Sequence, residues 1–98
     1  MKTSDKKEAY RDKARAMLEL WGAEITQMRA KAHMLQADAR IEAMQHLDEL
    51  ERFYNDAFRQ YGALQESSGA QLEEVKRAFE KATGRIRQKL EELVEAVA

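Results

Sequence analysis

Apolar residues recur every three or four positions through most of this 98-residue chain. One such stripe runs through residues 18–64 and a second through residues 72–97. This spacing places the apolar side chains on one face of an α-helix. The chain has no proline, and Gly69 follows two serines in a sequence otherwise poor in turn residues. The pattern predicts an all-α fold in which two helices reverse direction at residues 66–69.

The two predicted helices are unequal in length. The first is expected over about residues 5–65, where Asp5 and Glu8 resemble an acidic capping box, and the second over about residues 69–97. At about 1.5 Å per residue, the first helix would be roughly 90 Å long. Together they form one helical-hairpin, coiled-coil domain covering residues 1–98.

Gly22 lies inside the first predicted helix, yet the apolar stripe passes it without losing its step. A glycine inside a helix costs about 1 kcal/mol relative to alanine. A bend at Gly22 therefore stays open as an alternative. It would convert the hairpin into a three-helix bundle.

Folding the chain at about residue 68 brings the two stripes into register. Leu50 then falls opposite Ile86, and Ala57 falls opposite Phe79. Large residues repeatedly oppose small ones, which is what close packing of two helices requires. The predicted hairpin core consists of Leu47, Leu50, Tyr54, Tyr61, Leu64, Leu72, Val75, Phe79, Ile86, Leu90 and Leu93.

The hairpin leaves the first half of the long helix without a partner inside the chain. Burying each of its large apolar side chains is worth about 1.5–3 kcal/mol, so we expect this half to pack on a second copy or on another protein. The predicted interface comprises Leu18, Trp21, Ile25, Met28 and Leu35. A second contact surface is expected from Met17, Leu20, Met34, Ile41, Met44, Phe53 and Phe58.

Charge favours an antiparallel homodimer. Residues 1–15 hold six basic and three acidic side chains, whereas residues 42–66 hold two basic and six acidic ones. An antiparallel arrangement places the basic start of one long helix beside the acidic stretch of the other. Each end of the rod would then contain one hairpin and the first half of the partner's long helix, giving three helices in cross-section.

Composition argues against several kinds of chemistry. The chain has no cysteine, and its serines lie at predicted helix ends, so a nucleophile beside an oriented base is not expected. Glu42, His46 and Glu49 share a helix face, but the second helix has no histidine to complete a metal centre. The 17 basic residues are balanced by 18 acidic ones, which argues against binding to nucleic acid. We expect a non-enzymatic cytoplasmic protein with no catalytic residue, cofactor or metal.

A lipid or granule surface is the alternative partner. Amphipathic helices with basic residues beside an apolar stripe can open and lie on such an interface, as phasins and exchangeable apolipoproteins do. The best candidate is the second helix, in which basic residues flank apolar ones: Arg85, Arg87 and Lys89 beside Ile86, Leu90 and Leu93.

Several short motifs resemble a family of small bacterial coiled-coil proteins. They are Leu20-Trp21, Ala23, Ile25, Ala30-Lys31-Ala32, Ala37-Asp38-Ala39, Ser67-Ser68-Gly69 and Val75-Lys76. Members of that family commonly carry tryptophan where this chain has Leu72 and near Thr83. The resemblance implies a long-helix, short-helix hairpin and no enzymatic activity. Family members are mostly of unknown function and some are stress-responsive, so it also implies a role in stress.

Overall fold

The protein is a bundle of three α-helices. The computed structural model describes residues 2–97 and the side chains of residues 6–97. Helix α1 spans Lys2–His33, α2 spans Ala37–Glu66 and α3 spans Gly69–Val97. The three helices run up, down and up along a body whose principal Cα extents are 54 × 18 × 17 Å. The all-α prediction is confirmed, and residues 2–97 contain no strand.

The predicted long helix over about residues 5–65 is wrong, because the chain reverses direction at residues 34–36. The last turn of α1 tightens there: the amides of Met34 and Leu35 donate to carbonyls three residues earlier, each at 3.1 Å. Gln36 then takes an extended conformation with ψ 160° and leads into α2. Gly22 lies within α1, so the chain does not bend at Gly22, the position that the sequence analysis considered as an alternative.

Burial explains why the chain turns where no glycine or proline requires it. The reversal lays the apolar stripe of α1 on α2 and α3, and each large side chain buried there contributes about 1.5–3 kcal/mol. The few helical hydrogen bonds lost in the link are worth about 0.5–1.5 kcal/mol each. Charges at the two helix ends agree with the break, since Lys31 lies in the last turn of α1 and Asp38 in the first turn of α2.

The turn between α2 and α3 lies at residues 67–68, as the sequence predicts. Gly69 adopts a φ of +61°, a left-handed conformation that glycine enters without steric cost. The Ser67 hydroxyl donates to the Ala63 carbonyl at 2.7 Å and so satisfies one free acceptor at the end of α2. At the other end of the molecule α1 already begins at Lys2, and the Asp5 side chain of the predicted capping box lies outside the described side chains.

The α2/α3 hairpin follows the register predicted from the two stripes. The Lys89 ammonium lies 2.7 Å from a carboxylate oxygen of Glu49, and the Arg85 guanidinium lies 6.0 Å from the ring centroid of Phe53. These contacts bracket the level at which Leu50 faces Ile86, both of which are fully buried. In the predicted hairpin core, seven residues are buried and the other four are partly buried against it.

Arg11 ties the start of α1 to the end of α2. Its guanidinium donates to the Leu64 carbonyl at 2.9 Å and 3.2 Å and also to the Gln65 carbonyl. Carbonyls in the last turn of a helix receive no hydrogen bond from within that helix. A cation there also interacts favourably with the negative end of the helix dipole. Arg29 similarly pairs with Glu51 of α2. Both arginines therefore tie α1 to α2 within one chain, whereas the pairing of residues 1–15 with the acidic stretch of a second copy stays a prediction.

Gly22 allows α1 and α2 to approach closely. The Tyr54 hydroxyl donates to the Leu18 carbonyl at 3.1 Å and passes directly over Gly22. A Cβ atom at position 22 would lie 3.0 Å from that hydroxyl oxygen but 3.5 Å from the ring carbon that bears it. Glycine at this position therefore leaves room for one hydroxyl group.

Replacing Arg11 with methionine should lower the free energy of unfolding by about 1.5–3 kcal/mol, because hydrogen bonds from a charged donor to the end of α2 are lost while the apolar stem is kept. Urea unfolding followed by circular dichroism measures the change. The control is Arg15→Met, since Arg15 is exposed and pairs with Glu19 on the same helix. Equal effects of the two substitutions would contradict the capping role.

Gly22→Ala should have opposite effects in two backgrounds. In the native chain the added methyl group meets the Tyr54 hydroxyl, so we expect no gain or a loss of stability. In a Tyr54→Phe background the obstruction is gone, and alanine should stabilise α1 by about 0.5–1 kcal/mol through its higher helix propensity. A double-mutant cycle by thermal unfolding measures this coupling, and simple additivity would refute the steric account.

Candidate functional site

The side chains that the sequence assigned to an oligomer or partner interface lie inside the bundle. Leu18, Trp21, Ile25 and Met28 are buried, with Trp21 only 6% exposed, and Leu35 is partly buried against the same core. The prediction left them without an intrachain partner because it extended α1 away from the hairpin. Once the chain reverses at residues 34–36, α2 and α3 cover them.

The polar face at Glu42, His46 and Glu49 already faces a cation from α3. The Lys89 ammonium lies 2.7 Å from Glu49 and 3.4 Å from Nδ1 of His46, and it also binds Glu92 at 2.9 Å. Among the described residues, no group of histidine, cysteine and acidic side chains is arranged to hold a metal. The cluster therefore acts as an ion-pair network across the α2/α3 seam.

This network changes the pKa of both Glu49 and Lys89. The hydrogen bond from Lys89 holds the pKa of Glu49 below its usual value, and the hydrogen bonds to Glu49 and Glu92 raise the pKa of Lys89. The stabilisation from Glu49 is fully present when the pH is above the ordinary pKa of a glutamate, and it is lost as the pH falls through the lowered pKa. The stabilisation from Lys89 is fully present when the pH is below the ordinary pKa of a lysine, and it is lost as the pH rises through the raised pKa.

An open groove runs between α1 and α3, the least closely packed pair of helices. Its first part is a cavity of about 250 Å³ with Met17 and Phe79 on its apolar side and Lys13 and Arg87 at its rim. Gly84 also lines this part, and a Cβ built there meets nothing within 4 Å. The two helices therefore leave space that side chains of this chain do not fill.

Tyr10 closes one side of the first cavity. Its hydroxyl donates to a Glu80 carboxylate oxygen at 3.3 Å, and its ring packs edge-on against Phe79 with centroids 6.3 Å apart. Lys76 covers the other face of the ring, with Nζ 4.7 Å from the centroid. Burial, and then the charge of Glu80, raise the pKa of Tyr10 to about 12. At neutral pH the hydroxyl keeps its proton and remains a donor.

The second part of the groove is wider and more apolar. It is a cavity of about 460 Å³ with Trp21 and Leu90 at its base and Val94 at its edge. Val94 is 47% exposed, and Leu20, which lies beside Trp21, is 58% exposed. Three carboxylates and one guanidinium complete the lining: Glu24, Glu91, Glu95 and Arg87. This part of the surface is apolar in the middle and acidic at its border.

The second contact surface predicted from the sequence is only partly exposed. Met17, Met44 and Phe53 pack against the core. Leu20, Met34, Ile41 and Phe58 are exposed, but they are distributed around the bundle and over the link. Of these, only Leu20 is next in the sequence to a residue that lines the wide part of the groove, Trp21.

Sequence reasoning missed Tyr10 and Val94 as lining residues. Tyr10 and Ala14 continue the first stripe backwards in steps of four from Leu18, so the spacing was a usable signal. Val94 lies next to Leu93 and off the second stripe, and periodicity alone does not identify such a residue. The groove also needs α1 beside α3, which follows only from the unpredicted link.

Replacing Glu49 with glutamine should destabilise the protein at neutral pH, because Lys89 loses its closest carboxylate. The difference from the native chain should shrink as the pH falls below the lowered pKa of Glu49, because protonation then leaves the native chain, like the variant, without a negative charge at position 49. Urea unfolding at neutral and acidic pH measures this dependence. A difference that stays constant with pH would contradict the ion-pair account, and Glu74→Gln provides the exposed control.

Searches of protein-family models, curated proteins and solved structures found no match to this chain. The resemblance to small bacterial coiled-coil proteins therefore remains a prediction from motifs such as Leu20-Trp21 and Ser67-Ser68-Gly69. No helix within residues 2–97 has the length and apolar character needed to cross a membrane. The features that bear on function are the groove between α1 and α3 and the charges along it.

Proposed function

We propose that this protein is a non-enzymatic interaction module whose α1/α3 groove receives an amphipathic helix with basic flanks. The observation that carries the proposal is the wide part of the groove, where Trp21, Leu90 and Val94 lie between carboxylates. Exposed apolar surface with a polar border is typical of sites that bind other proteins. A groove between two parallel helices also matches the ridge of side chains on a third helix.

The apolar part of the partner is specified by the apolar residues of the groove. Trp21 and Leu90 form its base, and Val94 on α3 lies at its edge. A docked helix would place an apolar stripe over Val94 and remove it from water. Full burial of a valine side chain contributes about 1.5–3 kcal/mol, and because Val94 is 47% exposed, about half of that contribution is left for a partner to supply.

The basic character of the partner follows from the border. Glu24, Glu91 and Glu95 carry three negative charges against the single positive charge of Arg87. Lysine or arginine side chains beside the partner's apolar stripe would complement this excess and guide association. An acidic partner would meet repulsion at the same positions.

Self-association belongs to the same proposal. The chain is proposed to form an antiparallel homodimer, to work in the cytoplasm and to take part in a stress response, as the resemblance implies. The contacts of Arg11 with the last carbonyls of α2 and of Arg29 with Glu51 support the first of these, because the same groups can meet between copies.

Lipid binding remains the competing function, and the structure imposes a condition on it. In α3 the apolar residues Ile86, Leu90 and Leu93 are buried in the core, so a lipid surface reaches them only if the bundle opens. Docking of a helix in the groove needs no such opening. The two functions therefore differ in what happens to the tertiary structure on binding.

A synthetic helix with a leucine stripe flanked by lysines should bind the protein and shield Trp21 from a soluble quencher. Isothermal titration calorimetry and acrylamide quenching measure the two effects. Reversing Glu24, Glu91 and Glu95 to lysine should weaken binding at least about tenfold, since each pair contributes roughly 0.2–1 kcal/mol and reversal adds repulsion. Replacing Val94 with aspartate should also weaken it, because a charged side chain then takes the place of the exposed apolar contact.

The matched control reverses three exposed acidic residues away from the groove, namely Asp48, Glu66 and Glu74. If this variant loses binding as strongly as the groove variant, attraction is general and the proposed site is wrong. Flotation with anionic phosphatidylglycerol vesicles tests whether the protein binds lipid instead. Co-flotation with loss of near-ultraviolet circular dichroism would replace the proposal with the lipid function.

A further inference from the structure

We propose that two copies of this chain dimerise by exchanging α1. In the exchanged form residues 34–36 straighten, so that α1 and α2 become one helix and α1 packs on the α2/α3 hairpin of the second copy. This inference rests on the proposed self-association and gives its structural route. The closed bundle and the exchanged dimer then share one interface, made within a chain in the first and between chains in the second.

The link between α1 and α2 lacks the features that fix a turn. Residues 33–39 contain neither glycine nor proline, and all of them can continue a helix. Gln36 precedes α2 without a side-chain hydrogen bond to it, and Met34 is 87% exposed. The turn between α2 and α3 differs in each respect, because Gly69 holds a left-handed φ and Ser67 bonds back to Ala63. The hairpin turn is therefore fixed, whereas the link can straighten.

Helical phase is preserved when the link straightens. The buried residues of α1 end at Ala32, and those of α2 begin at Ala43. Leu35 and Ala39 connect them in steps of three or four, so in a single helix both halves present their apolar residues on the same side. One continuous face can then cover its own α3 at one end and the second copy's hairpin at the other.

The contacts of α1 fit the exchange without change. Arg11 binds the final carbonyls of α2, the Leu18 carbonyl accepts from Tyr54, and Arg29 pairs with Glu51. A second copy offers the same groups in the same geometry, so each contact forms between chains as it does within one. Exchange of an identical element between copies is a low-cost route to a dimer for this reason.

What differs between the two forms is the link and the loss of freedom on association. Straightening restores the helical hydrogen bonds that are interrupted at residues 34–36. Association costs translational and rotational freedom, which matters less as the protein concentration rises. The exchanged dimer should therefore accumulate with concentration and convert slowly, because α1 must leave the core first.

Ala37→Pro separates the two forms. Ala37 is the first residue of α2, a position where proline is favoured, and the extended Gln36 before it suits a following proline. In a straight helix the same proline would sit in the interior and lose a hydrogen bond to His33. We expect the closed bundle to keep its thermal stability while the dimer dissociation constant rises at least about 100-fold. Ala37→Ser is the matched control, since serine is compatible with both forms.

The experiment refolds each protein from urea at micromolar and millimolar concentrations and measures mass by light scattering and maximum dimension by X-ray scattering. The expected result is a native dimer of roughly 100 Å, twice the 54 Å extent of the closed bundle, that Ala37→Ser retains and Ala37→Pro loses. A dimer that persists in Ala37→Pro would overturn the exchange while leaving self-association intact. A native protein that stays monomeric throughout would overturn both, whereas helix docking in the groove is tested separately by the peptide titration.

Discussion

The packing of α1 onto the α2/α3 hairpin is the constraint on which the rest of the structure depends. It buries Leu18, Trp21, Ile25 and Met28, which would otherwise leave a long apolar face in water. The same packing brings Arg11 to the end of α2 and Tyr54 across Gly22. It also creates the groove, because α1 comes to lie parallel to α3 without filling the space between them. Core and candidate site are products of one chain reversal.

The hairpin could be predicted from the sequence, and the link could not. At the hairpin turn, Gly69 and the serines before it favour a local conformation that agrees with the tertiary structure. At residues 34–36 local preference favours a continuous helix, and only the charges of Lys31 and Asp38 indicate an end. Such charges are worth about 0.3–1 kcal/mol each, so long-range burial decides the outcome.

The candidate site shows a related limit. Periodicity correctly placed Trp21 on an apolar face, but it does not specify which element covers that face. The residue was therefore assigned to a surface between molecules, although α2 and α3 of its own chain cover most of it and leave only the groove side open. The acidic border at Glu24 and Glu91 depends on the pairing of α1 with α3, two helices that are far apart in the sequence. Contacts of that kind arise from the fold as a whole.

The order of synthesis gives the packing of α1 a further consequence. α1 is translated before the two helices that cover it, so the cover of Trp21 and Ile25 is incomplete until the Gly69 turn and most of α3 have been made. At about 5–20 residues per second, that interval lasts roughly 4–15 seconds. Throughout it, the nascent chain displays the apolar face of its first helix. A molecular chaperone, or a second nascent chain on the same messenger RNA, would meet that face before the chain's own hairpin does.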